Sequence, residues 1–123
     1  MSGGGNARLL GQWGEDRVAE KLMREGWTIE ARNFRCRFGE LDLVAKNETV
    51  LAFVEVKLRK NDRFGPPREA VTPAKRRKLR AAAQYYLMER PTRLQPRFDV
   101  AEVYAPRGIG TGTPVIHYIE NAF

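Results

Sequence analysis

Two short apolar segments joined by a polar turn contain charged residues. A buried strand tolerates such residues only where they have a partner of opposite charge or a metal ion. The first, residues 40–46, contains Asp42, and the second, residues 49–58, contains Glu55 and Lys57. Side chains two residues apart in a strand point to the same face, so Glu55 and Lys57 share a face. Charges in such an apolar strand are costly unless they pair or bind a metal ion. The pattern predicts a β-hairpin that carries a buried polar site.

The length of the hairpin turn decides whether Asp42 joins that face. A two-residue turn at Asn47-Glu48 places Asp42 opposite Phe53 and diagonal to Glu55, on the same face. The same register places Glu40 opposite Glu55 as a further carboxylate. A three-residue turn reverses the parity and moves Asp42 to the other face. We therefore predict the two-residue turn and a shared site.

The rest of the chain predicts an α/β fold. Apolar spacing indicates a first helix over residues 6–25, ended by Gly26, and Thr72-Pro73 marks the start of a second helix that Pro91 ends. Strands are predicted at residues 27–32, 40–46, 49–58, 97–104 and 114–120, with loops at 33–38 and 60–71. The order is α-β-β-β-α-β-β, with a mixed central sheet flanked by helices.

The length and composition limit the class of protein. The 123 residues suffice for one core, and we expect a disordered tail at residues 1–6 and one domain at residues 7–123. Apolar segments stay well below the ~20 residues of a membrane span. Cys36 is the one cysteine, which excludes an intrachain disulfide. We expect a cytoplasmic protein without a membrane partner.

Positive charge is concentrated in one part of the sequence. The net charge is +7, and the stretch from Lys57 to Arg80 holds ten basic and two acidic residues. Such a segment favours a polyanionic partner, and we expect nucleic acid, with DNA favoured. A solvated, solubilising loop is the alternative. The residues assigned to nucleic-acid binding are Lys60, Arg63, Arg68, Lys75, Arg76, Arg77, Lys78 and Arg80.

A further acidic residue, Glu15, lies on the apolar side of the first predicted helix. Val18, Ala19 and Leu22 follow it at helical spacing, so its side chain points with the apolar face. A carboxylate on that side needs a partner. Glu15 either reaches the hairpin site, directly or through a water on a metal ion, or pairs with a nearby arginine such as Arg17.

The predicted site has the donors that a hard divalent cation prefers. The carboxylates of Asp42 and Glu55 and the backbone carbonyl of Val56 are oxygen ligands suited to Mg²⁺ or Mn²⁺. Lys57 would orient a water molecule or pair with phosphate oxygens. The structural alternative is an ion pair of Lys57 with one of the carboxylates.

These motifs resemble the PD-(D/E)xK superfamily of restriction-endonuclease-like proteins, with Leu41 in place of the proline in that name. More narrowly, the chain resembles the bacterial YraN-like family from about residue 11 to its C-terminus. Archaeal Holliday-junction resolvases are similar in the order helix-Glu, strand-Asp, Glu-x-Lys. The matching motifs are Gly14-Glu15, Arg32-Asn33-Phe34-Arg35, Gly39-Glu40-Leu41-Asp42, Phe53-Val54-Glu55-Val56-Lys57 and Arg97-Phe98-Asp99-Val100.

The resemblance implies a restriction-endonuclease-like fold and roles for four residues. Asp42 and Glu55 would be metal ligands, Lys57 the catalytic lysine and Glu15 an accessory acid. The implied activity is a Mg²⁺-dependent endonuclease that acts on DNA, including branched DNA, in repair or recombination. By analogy with resolvases we expect a homodimer. The alternatives are a non-catalytic nucleic-acid-binding protein that keeps the fold and metal site, and a basic module that binds an acidic protein.

Overall fold

The computed structural model describes residues 3–60 and 71–123. The elements are α1 (Gly3–Arg24), β1 (Thr28–Cys36), β2 (Gly39–Lys46), β3 (Val50–Arg59), α2 (Pro73–Glu89), β4 (Gln95–Tyr104), a 3₁₀ helix (Gly108–Thr111) and β5 (Val115–Ile119). This order confirms the predicted α-β-β-β-α-β-β arrangement.

The strands form one five-stranded sheet in the order β1-β2-β3-β4-β5. The β3–β4 pair is parallel, and the other three pairs are antiparallel. A parallel pair needs a crossover connection, which contains α2. The mixed sheet flanked by helices is therefore confirmed.

The two helices cover opposite faces of the sheet, so β3 is buried on both sides. Phe53 packs in the cluster that contains Tyr86 of α2, whereas its neighbour Val54 packs in the cluster that contains Leu22 of α1. A strand buried on both faces is continuously apolar rather than alternating. This explains the uninterrupted apolar run that precedes Glu55.

Local sequence signals fix the ends of both helices. Gly26 has φ +93°, and the Trp27 N–H donates to the Leu22 carbonyl at 3.0 Å, a Schellman ending. Thr72 caps α2, because its hydroxyl oxygen accepts the Lys75 N–H at 3.2 Å. Both ends confirm the predictions. The helix α1 begins at Gly3, so residues 3–6, assigned to the tail, form its first turn.

The predicted loop at residues 33–38 is wrong for most of its length. β1 continues to Cys36, and only residues 37–38 form the turn to β2. β1 is an edge strand with many exposed side chains, so polar and basic residues fit into it without burial. Two irregularities, a register shift after Ile29 and a positive φ of 51° at Asn33, weaken the period-two pattern that marks a strand.

The predicted turn at Asn47-Glu48 is also wrong, by one position. The Asn47 N–H donates to the Val50 carbonyl at 3.0 Å, so residues 48–49 form the turn. The Asn47 side-chain oxygen accepts the N–H groups of Thr49 and Val50 at 2.9 and 2.8 Å. Asparagine stabilises a turn that follows it through such bonds. The pairing shifts by two residues, which preserves the predicted parity.

Candidate active site

Asp42 lies where β2 and β3 stop pairing. The ladder between these strands ends at Leu43 and Val54, and continuing its register by one residue brings Asp42 to Glu55. The register that placed Asp42 opposite Phe53 is therefore wrong, since Phe53 pairs with Val44. With that register, the predicted position of Glu40 opposite Glu55 is wrong as well.

A side-chain hydrogen bond takes over where the ladder ends. The Asp42 Oδ2 atom accepts the Val56 N–H at 2.9 Å. The N–H and C=O of one strand residue point to the same side, so we expect the Val56 carbonyl to face the same gap. The oxygen atoms of the Asp42 carboxylate and the Val56 carbonyl thus face the same gap between the separating strands.

The carboxyl groups of Asp42 and Glu55 interact directly. Burial raises the pKa of Asp42 to about 7, and a hydrogen bond with Glu55 and the charge of Glu55 add to the shift. The Val56 N–H and the Lys75 ammonium oppose it. Glu55 is only 5% exposed. Two adjacent carboxylates resist simultaneous ionisation, so this pair holds a proton to near neutral pH.

Two lysines from different elements approach the same oxygen of Glu55. The Lys57 Nζ atom of β3 lies 3.8 Å from Glu55 Oε2, and the Lys75 Nζ atom of α2 lies 3.6 Å from it. The sequence pattern placed Lys57 here but assigned Lys75 to the basic segment. The docking of the first turn of α2 beside β3 brings Lys75 to the carboxylates.

Glu15 opens into a cleft that it shares with Asp42. The cleft has a volume of about 410 Å³, and Asn33 and Glu40 also line it. Burial raises the pKa of Glu15, as does the charge of Asp42, whereas a hydrogen bond with Asn33 opposes the shift. The alternative partner, Arg17, instead pairs with Glu20 at 2.7 Å.

Sequence reasoning missed the contribution of Asn33 to this cleft. Asn33 has a positive φ of 51° and lies between the ladder pairs Arg32–Leu43 and Phe34–Leu41, at the position that this register brings opposite Asp42. Asparagine tolerates this backbone region better than most residues. An asparagine between two strand-like residues is the sequence signal that could have indicated the irregular backbone at this position.

The site offers two carboxylates rather than a complete set of metal ligands. Within residues 3–60 and 71–123, no group of three His, Cys, Asp or Glu side chains is arranged to hold a metal ion. The donors present still suit Mg²⁺ or Mn²⁺, because Mg²⁺ takes few protein carboxylates and keeps several waters. A divalent cation would also offset the repulsion between Asp42 and Glu55.

The described side chains of the basic segment, from Lys57 to Arg80, lie in different surroundings. Arg76 donates from Nε to the Val71 carbonyl at 3.0 Å, and its guanidinium lies 5.5 Å from the ring of Phe123. Arg80 lies at the same distance from Phe123. Arg77 and Lys78 are exposed. Lys60 is exposed at the end of β3, whereas Arg63 and Arg68 lie outside the described residues.

The motif at residues 97–100 contributes to stability rather than to the site. Asp99 is fully buried and accepts both Nε and Nη2 of Arg97, at 2.9 and 3.0 Å. It also accepts the Tyr118 hydroxyl at 2.6 Å and the Asn121 N–H at 2.9 Å. These bonds tie β4 to β5 and the C-terminal residues.

The structure therefore defines a small α/β protein with a buried carboxylate–lysine site at the point where β2 and β3 separate. The chain belongs to the UPF0102 (YraN-like) family, since the model described as "Uncharacterised protein family UPF0102" matches residues 14–103. This confirms the predicted resemblance at the level of that family. Neither helix, over the residues that the structure describes, is long and apolar enough to cross a membrane.

Bacterial relatives extend this match over most of the chain. A UPF0102 protein of Caldicellulosiruptor saccharolyticus is 41% identical over 96% of this chain and 99% of its own. One from Syntrophotalea carbinolica is 54% identical over 76% of this chain and 77% of its own. One from Bifidobacterium longum is 44% identical over 94% of both chains.

Proposed function

We propose that this protein is a metal-dependent endonuclease of the PD-(D/E)xK type that acts on DNA, including branched DNA. The observation that carries the proposal is the meeting of Asp42 and Glu55 at the end of the β2–β3 ladder, with Lys57 beside them. Paired carboxylates with a lysine are the groups that phosphodiester hydrolysis needs around a divalent cation.

The residues that would hold the cation are Asp42, Glu55 and the Val56 carbonyl, with Glu15 acting through a water molecule. A bound Mg²⁺ or Mn²⁺ would supply a Lewis acid that acidifies water and neutralises charge on a phosphate. The proton shared by the carboxyl groups must leave before both donate as carboxylates. The affinity for metal should therefore rise with pH until Asp42 is ionised.

Lys57 would act on the phosphate or on the attacking water. Its ammonium contacts Glu55 at 3.8 Å, beyond hydrogen-bonding distance, and its side chain is 32% exposed. A cation in that position stabilises negative charge that develops on a phosphate. Glu15, in the cleft next to Asp42, would orient water there.

The exposed cations of α2 would bind the DNA backbone. Arg77 and Lys78 lie a few residues beyond Lys75, and contacts to phosphates position a duplex without reading its sequence. Binding through such contacts weakens steeply as salt is added. We therefore propose recognition of DNA shape rather than of a base sequence.

A cleavage assay with two site variants and one control tests the proposal. Wild-type protein is incubated with Mg²⁺ or Mn²⁺ and with linear, single-stranded and branched DNA. We expect cleavage by wild type, a loss of about 100-fold or more in the cleavage rate of Glu55→Gln and Lys57→Gln, and a much smaller change in the DNA affinity of both. The control is Glu48→Gln, which removes an exposed carboxylate in the β2–β3 turn.

Each other outcome has a distinct meaning. Cleavage at the wild-type rate by both site variants would exclude this site. Binding of Mn²⁺ by wild type but not by Asp42→Ala, without cleavage of any DNA, would favour the non-catalytic nucleic-acid-binding protein. The homodimer stays a prediction, which sedimentation at working concentration checks.

A further inference from the structure

We propose that Lys75 and Lys57 together form a phosphate-binding site at Glu55, which receives a phosphodiester of the DNA. This inference rests on the proposed function and deepens it, because it assigns the position of the substrate phosphate. It also gives Lys75 a role in the site itself rather than in general attraction of DNA.

The ammonium groups of Lys57 and Lys75 approach the same oxygen atom of Glu55 and can still bind an anion. Both lie near Glu55 Oε2, at 3.8 Å for Lys57 and 3.6 Å for Lys75. These distances exceed the range of direct hydrogen bonds, so neither lysine donates a hydrogen bond to Glu55 Oε2. An ammonium has three donors, and an anion can engage both groups at once.

Exposure puts the lysines between solvent and the carboxylate. The side chain of Lys75 is 44% exposed, more than that of Lys57, whereas Glu55 is almost completely buried. An anion that approaches from solvent therefore meets the ammonium groups before it meets Glu55. The long apolar stems of lysine allow small movements of the charged ends toward such an anion.

The charge of the cluster favours an anion. Two lysine ammonium groups from different elements lie beside the one nearly buried carboxylate of Glu55. The first turn of α2 adds partial positive charge from the helix dipole. Phosphate, with several acceptor oxygens, is the common anion that can bridge two ammonium groups.

The backbone holds Lys75 in place, and its neighbour is committed elsewhere. The Lys75 N–H bonds to the Thr72 hydroxyl at 3.2 Å, inside the N-cap of α2. Arg76 already donates to the Val71 carbonyl and lies over Phe123. Lys75 thus reaches Glu55 from a fixed position on the backbone of α2.

Titration with inorganic phosphate, without divalent cation, tests the site directly. Lysine side-chain NMR signals report binding in wild type, Lys57→Gln, Lys75→Gln and the control Lys46→Gln, which removes an exposed lysine at the end of β2 away from Asp42. We expect phosphate affinity to fall about 10-fold or more in the first two variants, as for the loss of a charge-assisted hydrogen bond. Lys46→Gln should bind as wild type does.

A conservative variant separates charge from structure. Lys75→Arg keeps a cation in the site and should retain phosphate binding, even if Lys75→Gln proves poorly folded. Wild type without detectable phosphate binding, or equal affinities for Lys75→Gln and Lys46→Gln, would overturn the site.

Cleavage distinguishes this inference from the proposed nuclease. If wild type cleaves DNA, Lys75→Gln should lower the rate at saturating DNA by about 10-fold or more, with little change in DNA affinity. A Lys75→Gln variant that cleaves as fast as Lys46→Gln would overturn the role of Lys75 alone. If wild type cleaves no DNA, the nuclease proposal fails, and the phosphate titration still decides the lysine site.

Discussion

The carboxylate of Asp42 accepts the main-chain N–H of Val56 at 2.9 Å, just beyond the last paired residues of β2 and β3. A side chain here satisfies a backbone donor that the ladder leaves open. The bond fixes Asp42 beside Glu55, although their charges repel. The site is thus built into the sheet rather than placed on a loop.

The raised pKa of Asp42 makes stability depend on pH. The folded protein keeps this proton up to about pH 7, whereas the unfolded chain loses it near 3.8. Without divalent cation, the contribution is therefore fully present below about pH 4 and is lost as the pH rises to about 7. The free energy of unfolding should change by at most roughly 1.4 kcal/mol per pH unit for this one proton. Urea unfolding of wild type and Asp42→Asn across this range measures it.

The comparison cancels the titrating groups that do not interact with Asp42, whereas its effects on Glu15 and Glu55 are part of the measured difference. The free energy of unfolding of wild type, relative to Asp42→Asn, should decrease as the pH rises. A difference that stays constant with pH would show that Asp42 ionises normally.

Removing the buried carboxylate of Asp99 should destabilise the fold strongly. Asp99→Ala leaves the Arg97 guanidinium without its buried partner, and such losses cost about 3 to 5 kcal/mol. Chemical denaturation measures the loss. The control, Glu120→Gln, removes an exposed carboxylate 3.7 Å from the same arginine and should change stability by less than about 1 kcal/mol. Similar losses in both variants would contradict the structural role of Asp99.

Two glycines of α1 should respond oppositely to alanine. A Cβ at Gly11 would meet no atom within 4 Å, so Gly11→Ala should raise stability by about 0.5 to 1 kcal/mol through helix propensity. A Cβ at Gly14 would lie 2.9 Å from Leu58 Cδ2, so Gly14→Ala should gain little or lose stability. Thermal unfolding compares them, and an equal gain at both positions would contradict the close packing of α1 on β3.

The exposed cations of α2 should control the salt dependence of DNA binding. Removing the charges in Arg77→Gln and Lys78→Gln should lower the slope of log affinity against log salt by about 1 each. Arg76→Gln should lower stability as well, because Arg76 contacts Val71 and Phe123. Titrations over a range of salt concentrations measure the slope. If the variant that combines Arg77→Gln with Lys78→Gln has the same slope as wild type, this surface is excluded as the DNA contact.

Local sequence patterns were sufficient for the order of the elements, the C-terminal end of α1 and the N-terminal end of α2, but not for the end of β1. Apolar periodicity and the signals at Gly26 and Thr72 depend on neighbours within a few residues, so a single sequence contains them. The shared strand face of Glu55 and Lys57 follows from the same local geometry. The register of the hairpin did not, because the Asn47 side chain selected a turn one position later than predicted.

The sequence by itself determined the order of elements and the placement of an acid and a lysine on one face of a strand. Only the tertiary structure decided that Lys75 reaches Glu55, that Asn33 lines the cleft with Glu15, and that Arg76 packs on Phe123. The reason is physical: propensity, caps and alternation act over a few residues, whereas these contacts depend on how α1 and α2 dock on a sheet assembled from distant strands.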